Sequence, residues 1–112
     1  MAAAFVGGES ALTGTTPVTV VAAPAGGKQR EVISLYVLNR DSTSRTVVAK
    51  KLKTAGSVSF ELGRAVLAAG LRGQLLSAAV VLDATDETIT VESDATAATT
   101  EPIVDAAVFE VP

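Results

Sequence analysis

The sequence predicts an all-β fold: an antiparallel β-sandwich, jelly-roll-like, of seven or eight short strands. Three observations predict it. Two β-prone runs flank a short polar connector within Lys28–Lys53. Ser57–Leu62 alternates polar and apolar residues, with Val58, Phe60 and Leu62 expected inward and Ser59 and Glu61 outward. Turn-forming clusters of Gly, Pro, Asn, Asp and Ser recur between short apolar runs, a spacing typical of sandwiches and barrels.

The central stretch is expected to be a β-hairpin. In its first run Ile33, Leu35 and Val37 fall two apart and should share a face. The connector Asn39–Ser44 consists of residues whose short side chains bond to nearby backbone. The second run, Arg45–Lys53, alternates poorly. Two readings reconcile it: a bulge near Lys50-Lys51, or an edge strand protected by inward-pointing charge.

The remaining elements follow from both sides. Met1–Gly14 is Ala/Gly-rich and is expected to be a flexible arm, with one domain spanning 15–112. Thr16–Ala22 predicts a strand, with Val18 and Val20 on one face and Thr19 and Val21 on the other. Ala23–Gly27 is a Pro-Gly turn rather than a phosphate cradle, since no Gly-Lys-Ser/Thr follows it. A turn around Gly56 precedes Ser57–Leu62. Gly63–Leu76 leaves two readings open, one or two helical turns over 64–69 or a loop crossing between sheets. Ala79–Leu82 and Thr88–Glu92 predict short strands, with Ile89 and Val91 inward. Ser93–Pro102 is a loop, and Ile103–Val111 a last strand.

Composition bounds the core and the chemistry. The chain has 112 residues, enough for one domain. Hydrophobic residues make up 48%, but aromatics only 4%, with no Trp. A thin core of Ala and Val follows, so part of the stability is expected from partners. There is no Cys, which excludes disulfides and thiolate metal sites. There is no His, which removes the commonest general base. Nine basic and 12 acidic residues give a net charge of −3, against broad nucleic-acid binding. No apolar run approaches the roughly 20 residues that span a bilayer. Met1–Val6 is short and carries no Lys or Arg, so a soluble protein made in the cytoplasm is expected.

Candidate sites are few. Asp83, Asp86 and Glu87 are the densest cluster for a hard cation, but the EF-hand spacing is absent and a solvated turn is the expected reading. Ser and Thr are plentiful, yet no base and no Gly-x-Ser-x-Gly elbow marks a nucleophile. No catalytic residue, cofactor or metal ligand is assigned, and enzyme activity is not expected. Partner contacts are assigned to Phe5 and Val6 of the arm, to Tyr36, to Arg40 and Arg45 flanking the connector, and to Lys50, Lys51 and Lys53. The basic group fits either a solvated edge strand or an acidic protein surface.

Two segments carry a family resemblance. Val20-Val-Ala-Ala-Pro-Ala-Gly-Gly-Lys-Gln-Arg-Glu-Val-Ile-Ser-Leu-Tyr-Val-Leu-Asn-Arg-Asp-Ser resembles the opening of small bacteriophage virion accessory proteins. In them an Ala-Pro-Ala-Gly turn precedes a long strand, an Asn-x-Asp-Ser turn and a Val-rich strand. Val81-Leu-Asp-Ala-Thr-Asp-Glu-Thr-Ile-Thr-Val is similar to a later segment of the same proteins. The resemblance runs from about Thr15 to Val91 and leaves out Met1–Gly14 and Ser93–Pro102. It implies a β-sandwich or jelly-roll accessory that decorates and cements a capsid, or sits at the head–tail neck. It further implies a homo-oligomer, a trimer for preference, bound to the major capsid protein or a neck protein within the virion. It carries over no catalytic residue. The alternative is a neck, head-fibre or receptor-binding module that grips a host surface or glycan. Nucleic acid and membrane are not expected partners.

Overall fold

A computed structural model describes residues 4–54 and 57–112. Strand alternation and turn chemistry place ten strands, and no helix, among the described residues. They are β1 (Ala4–Phe5), β2 (Gly8–Ala11), β3 (Val18–Val21), β4 (Gln29–Leu38), β5 (Arg45–Lys53), β6 (Val58–Leu67), β7 (Arg72–Gln74), β8 (Val80–Leu82), β9 (Thr88–Ser93) and β10 (Ile103–Val111). They form two antiparallel sheets. In the six-stranded sheet β10 and β4 are central, with β1 and β2 along the outer side of β10 and β7 and β8 along that of β4. The four-stranded sheet runs β3-β9-β5-β6. The fold class is therefore the predicted β-sandwich.

The core lies between the sheets. Val32, Leu35, Val37, Val104, Ala106 and Val108 face it from one side, and Val21, Val47, Ala49, Ile89 and Val91 from the other. Leu12, Leu67, Leu75, Leu76 and Leu82 close its rim. Most of these are Val or Leu, each worth about 1.5–3 kcal/mol when fully buried. No aromatic ring is among them, so the layer is thin, as the composition implies. Ile89 and Val91 point inward as expected, both fully buried.

The expected hairpin is not one. β4 belongs to the six-stranded sheet and β5 to the four-stranded sheet, so Asn39–Ser44 crosses between layers. The reason is a buried polar knot. Asn39 Nδ2 donates to the carbonyls of Thr43 (2.9 Å) and Leu67 (2.8 Å), and Asn39 Oδ1 accepts the Asp41 amide (3.0 Å). Asp41, almost wholly buried, accepts the amides of Ser42, Ala98 and Thr99, each at 2.9 Å, and the Arg45 guanidinium at 2.8 Å. A connector this fully bonded holds its own geometry and joins the loop at 96–100 to the crossing. β8 and β9 likewise separate into different sheets.

Three bulges rewrite the face assignments. Ala107 and Val108 pair with Ser34 and Val32, so Ile33 is an extra residue in β4. Ile33 therefore turns out to solvent, 45% exposed, and Val32 takes the inward place with Leu35 and Val37. Val20 is extra in β3. The irregularity expected near Lys50-Lys51 exists, but the extra residue is Leu62 of β6: Ala49 pairs with Gly63 and Lys50 with Glu61. Nor is β5 an edge strand; it is flanked by β6 and β9.

β6 also overturns the helix over 64–69. Gly63–Leu67 pairs with Arg45–Ala49, and Leu67 turns inward while Val66 is 70% exposed. Ala and Leu favour helix only weakly, and a strand partner overrides that. Gly63 has a further role: a Cβ there would collide with the Leu75 carbonyl. Its missing side chain lets the two layers approach. Val58 and Phe60 keep the expected inward phase, Phe60 opposite Lys51 and through it in register with buried Ile89, yet are 41% and 52% exposed on this end of the edge strand.

The expected arm is part of the sandwich from residue 4 onward. β1 and β2 pair with β10, Leu12 is fully buried, and the Gly14 carbonyl accepts the Ser93 amide at 3.0 Å. Residues 1–3 of that arm, and Gly56 of the expected turn, lie outside the described residues. The ambiguous 63–76 stretch contributes β7, and the former arm β1 and β2, which takes the count above seven or eight.

Candidate functional site

Directly opposed residues on antiparallel strands share a face, so the register gives the outer surface of the six-stranded sheet row by row. One row runs Phe5–Phe109–Glu31–Val81. A second runs Glu9–Asp105–Tyr36–Gln74. A third runs Ala11–Ile103–Leu38–Arg72. The bulged Ile33 emerges between the first two.

This face is unusually apolar for a surface. Phe5, Ile33, Tyr36 and Val81 are all about half exposed, and Phe109 somewhat less. Phe5 and Phe109 meet edge to face, with ring centroids 5.7 Å apart and planes at 74°, a geometry the ring quadrupoles favour. Gly7 makes the approach possible, since a Cβ there would strike the Ala106 carbonyl. Between the second and third rows lies an open groove of about 200 Å³, lined by Glu9, Tyr36, Val37, Leu38, Arg72, Ile103 and Asp105.

The charges on this face lack internal partners. Glu9 and Asp105 sit directly opposite each other across β2 and β10. None of the ion pairs among the described residues includes Glu9, Glu31, Asp105 or Arg72. What the surface offers is a rigid sheet carrying rings, branched aliphatics and unneutralised carboxylates.

Of the residues assigned to contacts from sequence, Phe5 and Tyr36 lie on this face, and Val6 is exposed beside Phe5 with its amide bonded to the Val108 carbonyl at 2.9 Å. The basic residues are not brought there. Arg40 is exposed on the connector and donates to the Glu101 carbonyl at 3.1 Å. Arg45 is bound to Asp41 and to the Thr96 carbonyl. Lys50 pairs with Glu92 at 3.1 Å, and Lys51 and Lys53 with Glu87 at 3.2 and 3.3 Å. All three lysines belong to the other sheet.

The acidic turn holds backbone together. Glu87 Oε1 accepts the Asp83 and Ala84 amides at 2.8 and 3.1 Å, and Asp86 accepts the Thr54 amide at 2.9 Å. Burial pushes the Glu87 carboxyl up, but the Asp83 amide and the two lysines outweigh it and lower it to about 2. For Asp41 the Ala98 amide is the strongest influence. Burial opposes it, and the Thr99 and Ser42 amides and Arg45 tip the balance, so the carboxyl is held well below the usual range. Among the described residues, no group of three His, Cys, Asp or Glu side chains is placed to hold a metal ion.

Sequence reasoning missed Ile33, Val81, Phe109, Glu9 and Asp105. One signal was present. In Ile103–Val111 the residues at 104, 106 and 108 are all apolar and buried, so Phe109 falls on the opposite phase with Asp105. A large ring in phase with an Asp marks an exposed aromatic.

No family model matches the chain, and no curated protein matches it. Among solved structures it is similar to the CBM22-1 and GH10 modules of the N-terminal endo-1,4-beta-D-xylanase 10B of Clostridium thermocellum, complexed with xylohexaose. The identity is 13% and the TM-score 0.48, over 80% of this chain and 17% of that one. The present chain thus spans less than a fifth of that chain's length.

Proposed function

We propose that the chain is a non-enzymatic structural protein of a virion, a decoration or cement subunit that docks on a phage capsid and stabilises it. The observation that carries the docking is the outer face of the six-stranded sheet, where Phe5, Ile33, Tyr36, Val81 and Phe109 are exposed together. Contiguous exposed apolar surface of this kind marks interaction sites, and Tyr and Phe are enriched in interface cores. A paired sheet presents these groups without the ordering cost of a loop. Repetition over a shell multiplies a modest contact into firm attachment. The virion setting is supported by the resemblance of Val20–Ser42 and Val81–Val91 to phage accessory proteins.

The test is cosedimentation of the purified protein with shells of the phage that encodes it, with its solution mass followed by light scattering. Binding that saturates at a fixed copy number, and that Phe109→Ser abolishes, is the expected result. A protein that ignores shells at micromolar concentration would sink the decoration reading. The groove beside Tyr36 favours a second reading, a host-surface or glycan-binding module. There a ring, two carboxylates and a guanidinium surround a concave site. A glycan screen tests it, with a hit that Tyr36→Ala removes as the expected outcome.

A further inference from the structure

The docking reading leaves open what the partner presents, and the charges on the face answer that. Several carboxylates elsewhere are neutralised by the chain's own cations: Glu61 by Arg64, Glu87 by Lys51 and Lys53, Glu92 by Lys50, Glu110 by Arg30. On the outer face of the six-stranded sheet Glu9, Glu31 and Asp105 form no such pair among the described residues. Glu9 and Asp105 oppose each other directly, an arrangement that like charges make unfavourable. Asp105 is also directly opposite Tyr36. The three line one wall of the 200 Å³ groove, whose other wall is Leu38 and Ile103. Arg72 stands at the far end and forms an ion pair with neither carboxylate.

We infer that the natural occupant of this face is a protein surface that projects an arginine or lysine, set among apolar residues, into the Glu9–Asp105–Tyr36 groove. This rests on the docking role proposed above and names the chemistry of its partner. A cation there would relieve the Glu9–Asp105 repulsion and gain the face of the Tyr36 ring. Its aliphatic stem would lie along Leu38 and Ile103, as long basic side chains do. The apolar flank of the partner would meet Phe109 and Ile33. A second copy whose two-fold axis passed through the groove would bring these carboxylates toward one another, so that self-contact is disfavoured. An anionic partner is repelled.

The experiment is a titration of the isotope-labelled full chain, read by amide chemical shifts, with a short alternating Leu/Arg peptide, its Leu/Glu counterpart and a xylo-oligosaccharide. The expected result is saturable movement of Glu9, Tyr36 and Asp105 with the Leu/Arg peptide and none with Leu/Glu. The double variant Glu9→Gln/Asp105→Asn should bind the peptide about five- to tenfold more weakly. It should unfold at the same temperature as the parent or slightly above. Should the double variant fold poorly, Glu9→Gln alone on the outer strand β2 is expected to lose affinity in the same direction. Equal response to both peptides, movement elsewhere on the molecule, or response to the saccharide alone would overturn the inference. Shell binding separates it from the proposal beneath it. Shells bound equally by parent and double variant would refute the basic occupant and keep the docking role. A peptide that maps to the groove on a protein ignoring shells would refute the virion role and keep the occupant.

Discussion

The two outer faces of this sandwich differ in how their charges are settled. On the four-stranded sheet, Lys50 reaches Glu92 at 3.1 Å and Arg64 binds Glu61, with threonines between them. Of the exposed apolar residues of its edge strand β6, Val66 is in the outward phase, opposite Thr46. On the six-stranded sheet Phe109 and Tyr36 stand on the central strands with Phe5 on neighbouring β1, and the carboxylates beside them form no ion pair among the described residues. A face whose charges are paired internally is already satisfied in water. A face with opposed carboxylates and exposed rings has free energy to gain from a partner. That difference, more than total hydrophobicity, separates the solvated side from the side proposed to dock.

Breaking what both faces share should have the largest effect. Asp41→Ala removes the acceptor for the Ser42, Ala98 and Thr99 amides and strands Arg45. Thermal unfolding should fall by roughly 10–20 °C, and docking with it. Acid should act on the same groups. Carboxyls held below their ordinary values stabilise the fold while ionised. Glu87, ordinarily near 4.5 and here about 2, should contribute fully above pH 4.5 and lose its contribution as pH falls through 2. Asp41 acts in the same direction. With no histidine to titrate, a scan of Tm against pH should be level from 8 to 5 and fall below 4.5.

Gly63→Ala places a methyl group against the Leu75 carbonyl. A loss of about 1–3 kcal/mol in urea unfolding is expected, without loss of docking at temperatures where the variant is folded. The sharpest contrast comes from two mild changes. Phe109→Ser gives up an edge-to-face pair worth about 1 kcal/mol and should abolish shell binding. Lys50→Ala gives up a surface pair worth about 0.5 kcal/mol or less and should leave binding intact. Equal effects of the two on docking would erase the distinction between the faces.

Much of the strand inventory was legible, for a physical reason. Alternation over Ile103–Val111, Thr88–Glu92 and Lys28–Leu38 reflects one wet and one dry side, which sequence records directly. Pairing was not legible. Asn39 and Asp41 look like ordinary loop residues, and only burial reveals that they steer β5 to the opposite layer. Bulges were the second blind spot. One extra residue at Ile33 inverts everything upstream of it, and no residue type announces that. The site suffered from both. Tyr36 and Phe5 were singled out because aromatics are rare here. Phe109 went unnoticed although its phase exposed it, and the ion pairs of the β5 lysines with Glu87 and Glu92 were not readable from sequence.

The crossing at Asn39–Ser44 also has a bearing on how the chain finds its fold. Among the described residues, β5 and β6 are the sole neighbours in sequence that pair directly. Every other strand must wait for a partner from a distant part of the chain, and the closing strand β10 comes last in sequence. Contacts this remote make for slow folding, on the order of milliseconds to seconds, with the β5–β6 hairpin as the local starting point. A chain emerging from the ribosome can pair β4 with β7 and β8, but its other edge stays open until β10 arrives. That open edge, rather than the proposed docking face, is then where aggregation would begin.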